Sequence, residues 1–132
     1  MTNLYYGFIT KKRPIPRIIT IGNFDGVHLG HQAILEFCVN EAKKNNFISS
    51  VITFHPHPKI FFNSTPSQEA IQTIRDKATE ISELNIDEIF LIPFNLKLSK
   101  IPPEKFIKYY LIDKLNMKII VVGKDFKFGS NR

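Results

Sequence analysis

Two histidines, His28 and His31, stand three positions apart in the glycine-rich stretch TIGNFDGVHLGH, residues 20–31. Glycines such as Gly22 and Gly30 let a backbone turn tightly or approach a ligand closely. Imidazole groups beside the positive end of a helix can hold phosphate oxygens and stabilise the charge that develops when one phosphorus is attacked. The pattern therefore predicts a phosphate-handling loop at a strand-to-helix turn, with both histidines as donors.

The same two histidines are open to other interpretations. One could cap the helix while the other lies at the surface. A metal site could form if the pair met His55 and His57 at neighbouring strand ends, with Asp25 as an oxygen ligand. The spacing matches no closed zinc pattern and the chain has a single cysteine, so we expect no site in which histidines hold a metal.

A second motif, TFHPHP, follows a short apolar run. Pro56 and Pro58 forbid a helix and predict a stiff, extended wall that suits a flat ligand. Phe54 and Phe62 could stack on such a ligand, although a phenylalanine in a strand is also ordinary core. His57 is open to either ligand contact or loop packing.

A third motif, VVGKDFKFGSNR, ends the chain. Asp125 can accept hydrogen bonds from a ligand ring or ribose, and Phe126 and Phe128 alternate with charged residues. Its plain interpretation makes the aspartate a turn former and the phenylalanines hydrophobic plugs.

Composition favours a globular domain with anionic partners. The chain has 132 residues, of which 43% are hydrophobic and 23% charged, and a formal net charge of +6. This charge suits nucleotides, but the basic cluster Lys11 to Arg13 has no interleaved aromatic residues, so we expect no nucleic-acid partner. Apolar runs are too short for a membrane span or a signal peptide, so we expect a cytoplasmic protein without membrane contact.

Hydrophobic periodicity alternates between apolar runs and amphipathic stretches. The predicted elements are a strand at Arg17 to Ile21, a helix at His31 to Lys44, a strand at Ser50 to Phe54, a helix at Ile74 to Leu84, a strand at Glu88 to Ile92, a helix at Pro103 to Leu115 and a strand at Lys118 to Val122. Thr73 and Asp76 resemble a capping box for the second helix, and Pro102 and Pro103 open the third. Cys38 lies on an apolar helix face, which indicates a core position.

This alternation predicts an α/β fold, a doubly wound parallel sheet with both faces covered, in a single domain. Ligands in such sheets collect at the carboxyl ends of the strands. Three predicted loops start there, Gly22 to Gly30, His55 to Asn63 and Gly123 to Gly129.

Taken in order, the segments IGNFDGVHLGH, TFHPHP and VVGKDFKFGSNR resemble the adenylyltransferase module of the bifunctional bacterial riboflavin kinase/FAD synthetase family, from about Arg17 to Arg132. The HxGH element alone occurs across a broad nucleotidyltransferase superfamily with a Rossmann-like fold, but the flanking GNFDG and TFxPHP make the similarity more specific. The resemblance implies transfer of AMP from ATP to the phosphate of FMN, giving FAD and pyrophosphate, with Mg2+ assisting.

The resemblance also implies roles for individual residues. His28 and His31 would be catalytic and would hold the ATP phosphates. The ATP-binding set would comprise loop residues Gly22, Asn23, Phe24, Asp25 and Gly30. The flavin-binding set would comprise Phe54, Pro56, His57, Pro58 and Phe62, with Asp125 and Phe128 nearby.

Members of that family continue with a Ser/Thr-rich segment ending in arginine and then a β-barrel riboflavin kinase module, neither of which is in this sequence. We therefore expect residues 1–132 to form a C-terminally incomplete FAD synthetase domain that lacks the kinase module. Two alternatives stay open: a noncatalytic fragment that binds flavin or nucleotide, and a sister nucleotidyltransferase with another phosphate acceptor. The sequence predicts no oligomeric state.

Overall fold

The computed structural model describes residues 2–8, 15–22, 24, 29–55 and 68–123. The strands are β1 (Asn3–Tyr6), β2 (Arg17–Ile21), β3 (Ile48–His55), β4 (Glu88–Pro93) and β5 (Met117–Val121). The helices are α1 (Leu29–Asn45), α2 (Gln68–Ser82), α3 (Leu96–Ser99) and α4 (Pro103–Phe106), and α4 continues directly into a π-helical segment, Ile107–Lys114.

The five strands form one sheet in the order β1-β4-β3-β2-β5, and every neighbouring pair is parallel. β2 lies between β3 and β5, with Ile18 opposite Ser49 of β3 on one side and opposite Ile119 of β5 on the other. All five residues of β2 are buried, as expected for a strand covered on both faces. The predicted α/β class with a doubly wound parallel sheet is confirmed.

Helices cover both faces of the sheet. On one face, Leu35 of α1 and Ile81 of α2 pack with Val51 of β3. On the other face, Phe106 and Leu111, from α4 and the π-helical segment, pack in a second cluster that includes core residues of β2, β3 and β4. Each fully buried aliphatic or aromatic side chain of this kind contributes about 1.5–3 kcal/mol, so the two clusters hold the sheet rigid beneath its loops.

Asparagine ends three of the helical stretches. Asn46 follows α1, Asn85 follows α2 and Asn116 follows the π-helical segment, with φ of 58°, 68° and 52°. Asparagine tolerates this left-handed backbone better than most side chains, and it commonly replaces glycine just past a helix end. Each of these turns is followed within three residues by a strand, so the asparagines set the return of the chain to the sheet.

A buried ion pair ties the amino ends of three strands together. Arg17 Nε donates to Glu88 Oε1 at 2.7 Å and its Nη2 donates to Glu88 Oε2 at 3.2 Å, with both side chains 0% exposed. Ser50 Oγ donates to the same Oε1 at 2.8 Å, and Arg17 Nη1 donates to the carbonyl of Leu115 at 2.9 Å. The cluster therefore links β2, β3 and β4 to the end of the covering helix, at the edge opposite the predicted loops.

Several predicted boundaries are wrong. α2 begins at Gln68 rather than Ile74, so Thr73 and Asp76 lie inside the helix and form no capping box. Beyond Phe106 the third predicted helix is π-helical, a difference that apolar spacing alone does not distinguish. Pro102 and Pro103 do open that helix, as predicted.

Two elements were not predicted. β1 is a four-residue edge strand in which alternate side chains are exposed, so its apolar signal is weak. α3 is a single turn, too short to show a helical period, and its Asn95 cap accepts a hydrogen bond from Leu98 N.

Candidate functional site

Three adjacent strands end at one edge of the sheet, at the points where the predicted loops begin. β5, β2 and β3 are neighbours, and their carboxyl ends lie at Val121, Ile21 and His55. The chain leaves β2 through α1 on one face to reach β3, whereas it reaches β5 through α4 and the π-helical segment on the other face. A parallel sheet whose connections diverge in this way binds ligands in the crevice at the switch point, here between β2 and β5.

The described residues just past β2 are anchored in the core. Gly22 N donates to the carbonyl of Ile52 at 3.1 Å, which holds the start of the loop against β3. Phe24, two residues later, has a φ of 52° and is 3% exposed. The ring of Phe24 packs in the core cluster that includes Leu35 and Val51, between α1 and the sheet.

α1 presents its positive end at this turn. The helix begins at Leu29, so Gly30 and His31 lie in its first turn, and Gly30 is exposed. That turn contains no acidic residue, so nothing within it neutralises the helix dipole. Backbone amides and a histidine at the start of a helix suit a phosphate or another anion.

The imidazole of His31 rests against the ring of Phe24. The two ring centroids are 5.0 Å apart and the planes meet at 63°, an edge-to-face arrangement. The sequence pattern singles out the histidine but gives no sign of this aromatic support, because the contact depends on the left-handed backbone at residue 24.

The third loop starts beside the first. A Cβ built on Gly123, two residues past the end of β5, would lie 3.5 Å from Cδ1 of Ile34 on α1. Ile34 lies three residues after His31, slightly less than one helical turn. The chain therefore leaves β5 next to the first turns of α1. This neighbour was not predicted, because it requires β5 to pair with β2 across the sequence.

Phe54 marks the flavin side of the predicted site. Its side chain is 8% exposed and lies in the core cluster shared with Phe94, whose ring centroid is 6.0 Å away at an interplanar angle of 81°. Only a small part of the Phe54 ring is therefore open to a ligand, and its role in flavin binding stays a prediction.

The remaining predicted site residues lie outside the described residues, and their roles stay predictions. They are Asn23, Asp25, His28, Pro56, His57, Pro58, Phe62, Asp125 and Phe128. The described neighbours of each group nevertheless lie at the carboxyl ends of β2, β3 and β5.

Cys38 is a core residue, as predicted, and does not serve as a nucleophile. It is 0% exposed on α1, and burial raises the pKa of its thiol to about 12. Because the thiolate is the reactive form, this cysteine is inert at neutral pH.

Within the described chain, no group of three or more histidine, cysteine, aspartate or glutamate residues is placed to hold a metal ion. Among its helices, none is both long and apolar enough to cross a membrane. A small cavity between α2 and the sheet is lined by Lys77 and Thr53 among apolar side chains, with no lining residue from β2 or β5.

Comparison with known proteins gives consistent matches. The family model described as FAD synthetase matches residues 10–132. The bifunctional riboflavin kinase/FMN adenylyltransferase of Buchnera aphidicola subsp. Schizaphis graminum is 47% identical over 114 residues, covering 86% of this chain and 36% of that protein. The Escherichia coli K12 protein of the same name is 33% identical over 115 residues, covering 87% and 37%. The chain thus spans little more than a third of the length of these relatives.

Solved structures share the fold. A macrolide-efflux protein from Streptococcus pneumoniae matches 99% of this chain and 44% of its own, with a TM-score of 0.79 and 25% sequence identity. The universal stress protein from Archaeoglobus fulgidus in complex with dAMP matches 86% and 83%, with a TM-score of 0.52 and 15% identity. The family model covers nearly the whole chain, including β2, α1, β3 and β5. The chain therefore belongs to the FAD synthetase family.

Proposed function

We propose that this chain transfers AMP from ATP to FMN, giving FAD and pyrophosphate. The observation that carries the proposal is that β5, β2 and β3 are neighbours whose carboxyl ends lie at one edge of the sheet, beside the first turn of α1. Membership of the FAD synthetase family and the names of the relatives support the same activity.

ATP binds, in this proposal, at the loop between β2 and α1. The exposed Gly30 and the positive end of α1 favour contact with the triphosphate, and His31 in the same turn adds a polarisable donor. His28 is proposed as the second donor. Gly22 and Phe24 build the turn, whereas Asn23 and Asp25 are proposed to face the nucleotide.

FMN binds, in this proposal, between the loops that follow β3 and β5. Phe54 at the end of β3 supplies the described part of this side, and its limited exposure favours an edge contact over full stacking. The proposed partners that follow in the chain are Pro56, His57, Pro58, Phe62, Asp125 and Phe128.

Mg2+ is proposed to enter with ATP. The donor set fits, because Asn23 and Asp25 offer amide and carboxylate oxygens, which this ion prefers, and their chain neighbours Gly22 and Phe24 lie at the carboxyl end of β2. When bound, the ion neutralises part of the triphosphate charge.

The chemistry requires no covalent intermediate. An oxygen of the FMN phosphate attacks the α-phosphorus of ATP, a new P–O bond forms, and the bond to the bridging oxygen breaks so that pyrophosphate leaves with the electron pair. Charge grows on the departing pyrophosphate, and His28 and His31 stabilise it there. Holding both nucleotides in line supplies much of the acceleration.

The test is incubation of the chain with FMN, ATP and Mg2+, with FAD followed by chromatography. We expect FAD from the wild-type chain and a strong loss in His28→Ala and His31→Ala, with unchanged FMN fluorescence quenching as a control for flavin binding. Unchanged turnover in both variants would defeat the catalytic assignment.

Two other outcomes would replace the proposal. Quenching of flavin fluorescence without FAD formation, even after a relative's C-terminal segment is appended, would make the chain a binding module. Preference for CTP or for a phosphate acceptor other than FMN would make it a sister nucleotidyltransferase.

A further inference from the structure

One residue of the β2 to α1 turn has a backbone that its side chain does not favour. Four non-glycine residues of the described chain have positive φ, and three of them are the asparagines that end helices. The fourth is Phe24, with a φ of 52°. A bulky residue in the left-handed region is a strained outlier, and such outliers persist where the surrounding structure holds them and cluster at functional sites.

Core packing holds Phe24 in this conformation. Its side chain is 3% exposed in a cluster with Leu35 and Val39 of α1 and Val51 of β3. The left-handed turn therefore directs the ring underneath the helix, where it is fixed by the same side chains that attach α1 to the sheet.

Gly22 leaves room for the ring. A Cβ at residue 22 would lie 3.0 Å from Cε2 of Phe24, a tighter approach than almost all real Cβ contacts, so the absence of a side chain lets the ring lie directly against the strand end. The hydrogen bond from Gly22 N to the carbonyl of Ile52 fixes that end to β3. The ring is thus enclosed by the sheet below and by the helix at its side.

The imidazole of His31 packs against this ring, with the two ring centroids 5.0 Å apart. We infer that Phe24 is a positioning residue, whose strained, core-anchored ring sets the orientation of the His31 imidazole toward the ATP phosphates. This inference rests on the proposed function, because it gives the contact a role in adenylyl transfer. It also assigns Phe24 to the support of the site rather than to direct contact with ATP.

The test compares Phe24→Leu with the control Ile86→Ala. Both variants remove buried apolar atoms from one cluster, but Ile86 lies just before β4, at the amino ends of the strands and away from the turn that carries His31. A loss of about tenfold or more in kcat, with little change in KM for FMN, is expected for Phe24→Leu, because small displacements of a catalytic group are costly. Ile86→Ala keeps the wild-type kcat, and urea unfolding shows how far each variant is destabilised.

A spectroscopic readout separates positioning from activity. The chain has four histidines, so the imidazole proton resonances of His31 can be assigned by their absence in His31→Gln. Loss of the aromatic ring current should shift those resonances in Phe24→Leu, and they should stay in place in Ile86→Ala. Equal losses of kcat in both variants, or unmoved His31 resonances in Phe24→Leu, would overturn the inference. If the wild-type chain makes no FAD, the proposed function fails, while the resonances still decide whether the Phe24 ring packs against His31.

Discussion

Glu88→Gln should destabilise the fold severely while leaving the site intact. Glu88 accepts three hydrogen bonds, two from Arg17 at 2.7 and 3.2 Å and one from Ser50 at 2.8 Å, in a place where both charged side chains are 0% exposed. The neutral amide keeps the volume of the side chain but leaves the guanidinium as a buried charge without its counter-ion.

The expected cost follows from that burial. Removing one partner of a buried ion pair typically costs about 3–5 kcal/mol, because the remaining charge keeps its full desolvation penalty. That is a large part of the 5–15 kcal/mol or so that stabilises a domain. For a chain of 132 residues it corresponds to a fall in Tm of about 10–20 °C. The double variant Arg17→Met with Glu88→Leu should recover part of the loss, because it removes both charges together.

Urea unfolding followed by circular dichroism measures this cost, and Asp113→Asn is the matched control. The Lys108–Asp113 pair has a similar distance, 2.9 Å, but its side chains are 62% and 46% exposed. Water screens such a pair, so we expect a loss of about 0–1 kcal/mol. A cost for Glu88→Gln no larger than that of Asp113→Asn would refute the reasoning, as would a double variant less stable than Glu88→Gln.

Three further predictions concern single contacts. Gly22→Ala should lower the free energy of unfolding by about 1–3 kcal/mol, because the new Cβ would lie 3.0 Å from the Phe24 ring. Gly123→Ala is the control, since its Cβ would meet its nearest neighbour at an ordinary 3.5 Å. Equal Tm values for the two variants would contradict this. Burial raises the pKa of Cys38 from 9.0 to about 12, so the thiol's contribution to stability is complete below pH 9 and is lost as the pH rises toward 12. Urea titrations should show wild type losing stability faster than Cys38→Ala across that window, and parallel pH profiles would argue against it. Asn95→Ala removes the side-chain oxygen that accepts a 2.8 Å hydrogen bond from Leu98 N at the start of α3. Hydrogen exchange of the amides in that turn should therefore become faster, by the equivalent of about 1 kcal/mol of local stability. Unchanged exchange would show that the cap does not stabilise the turn.

Much of the fold could be predicted because its central strands are buried on both faces. The bounds of β2 match the prediction, and all five of its residues are buried, so the apolar run and the strand coincide. β1 could not be predicted in the same way, since half of its four residues point to solvent. The start of α2 at Gln68 was missed because the spacing of Thr73 and Asp76 also fits the interior of a helix.

The sequence indicates which strand ends carry the candidate site, but not its internal contacts. Glycine and histidine spacing predicts a ligand-binding turn after β2, which stays a prediction, and the rule for parallel sheets places the ends of β2, β3 and β5 at one edge, where the structure has them. The contact between Phe24 and His31 depends on a backbone angle that residue type does not reveal. The approach of Gly123 to Ile34 depends on β5 pairing with β2, a long-range choice that local patterns leave open.

We propose that a nucleotide is joined to FMN at the edge where β5, β2 and β3 end. ATP labelled at the α-phosphate tests this most directly when it is incubated with FMN, Mg2+ and the chain, with pyrophosphate measured in parallel. We predict that the label appears in FAD in equimolar amount with pyrophosphate, and that His31→Ala abolishes both. Label that leaves ATP only as AMP or ADP, with no labelled FAD, would contradict the account.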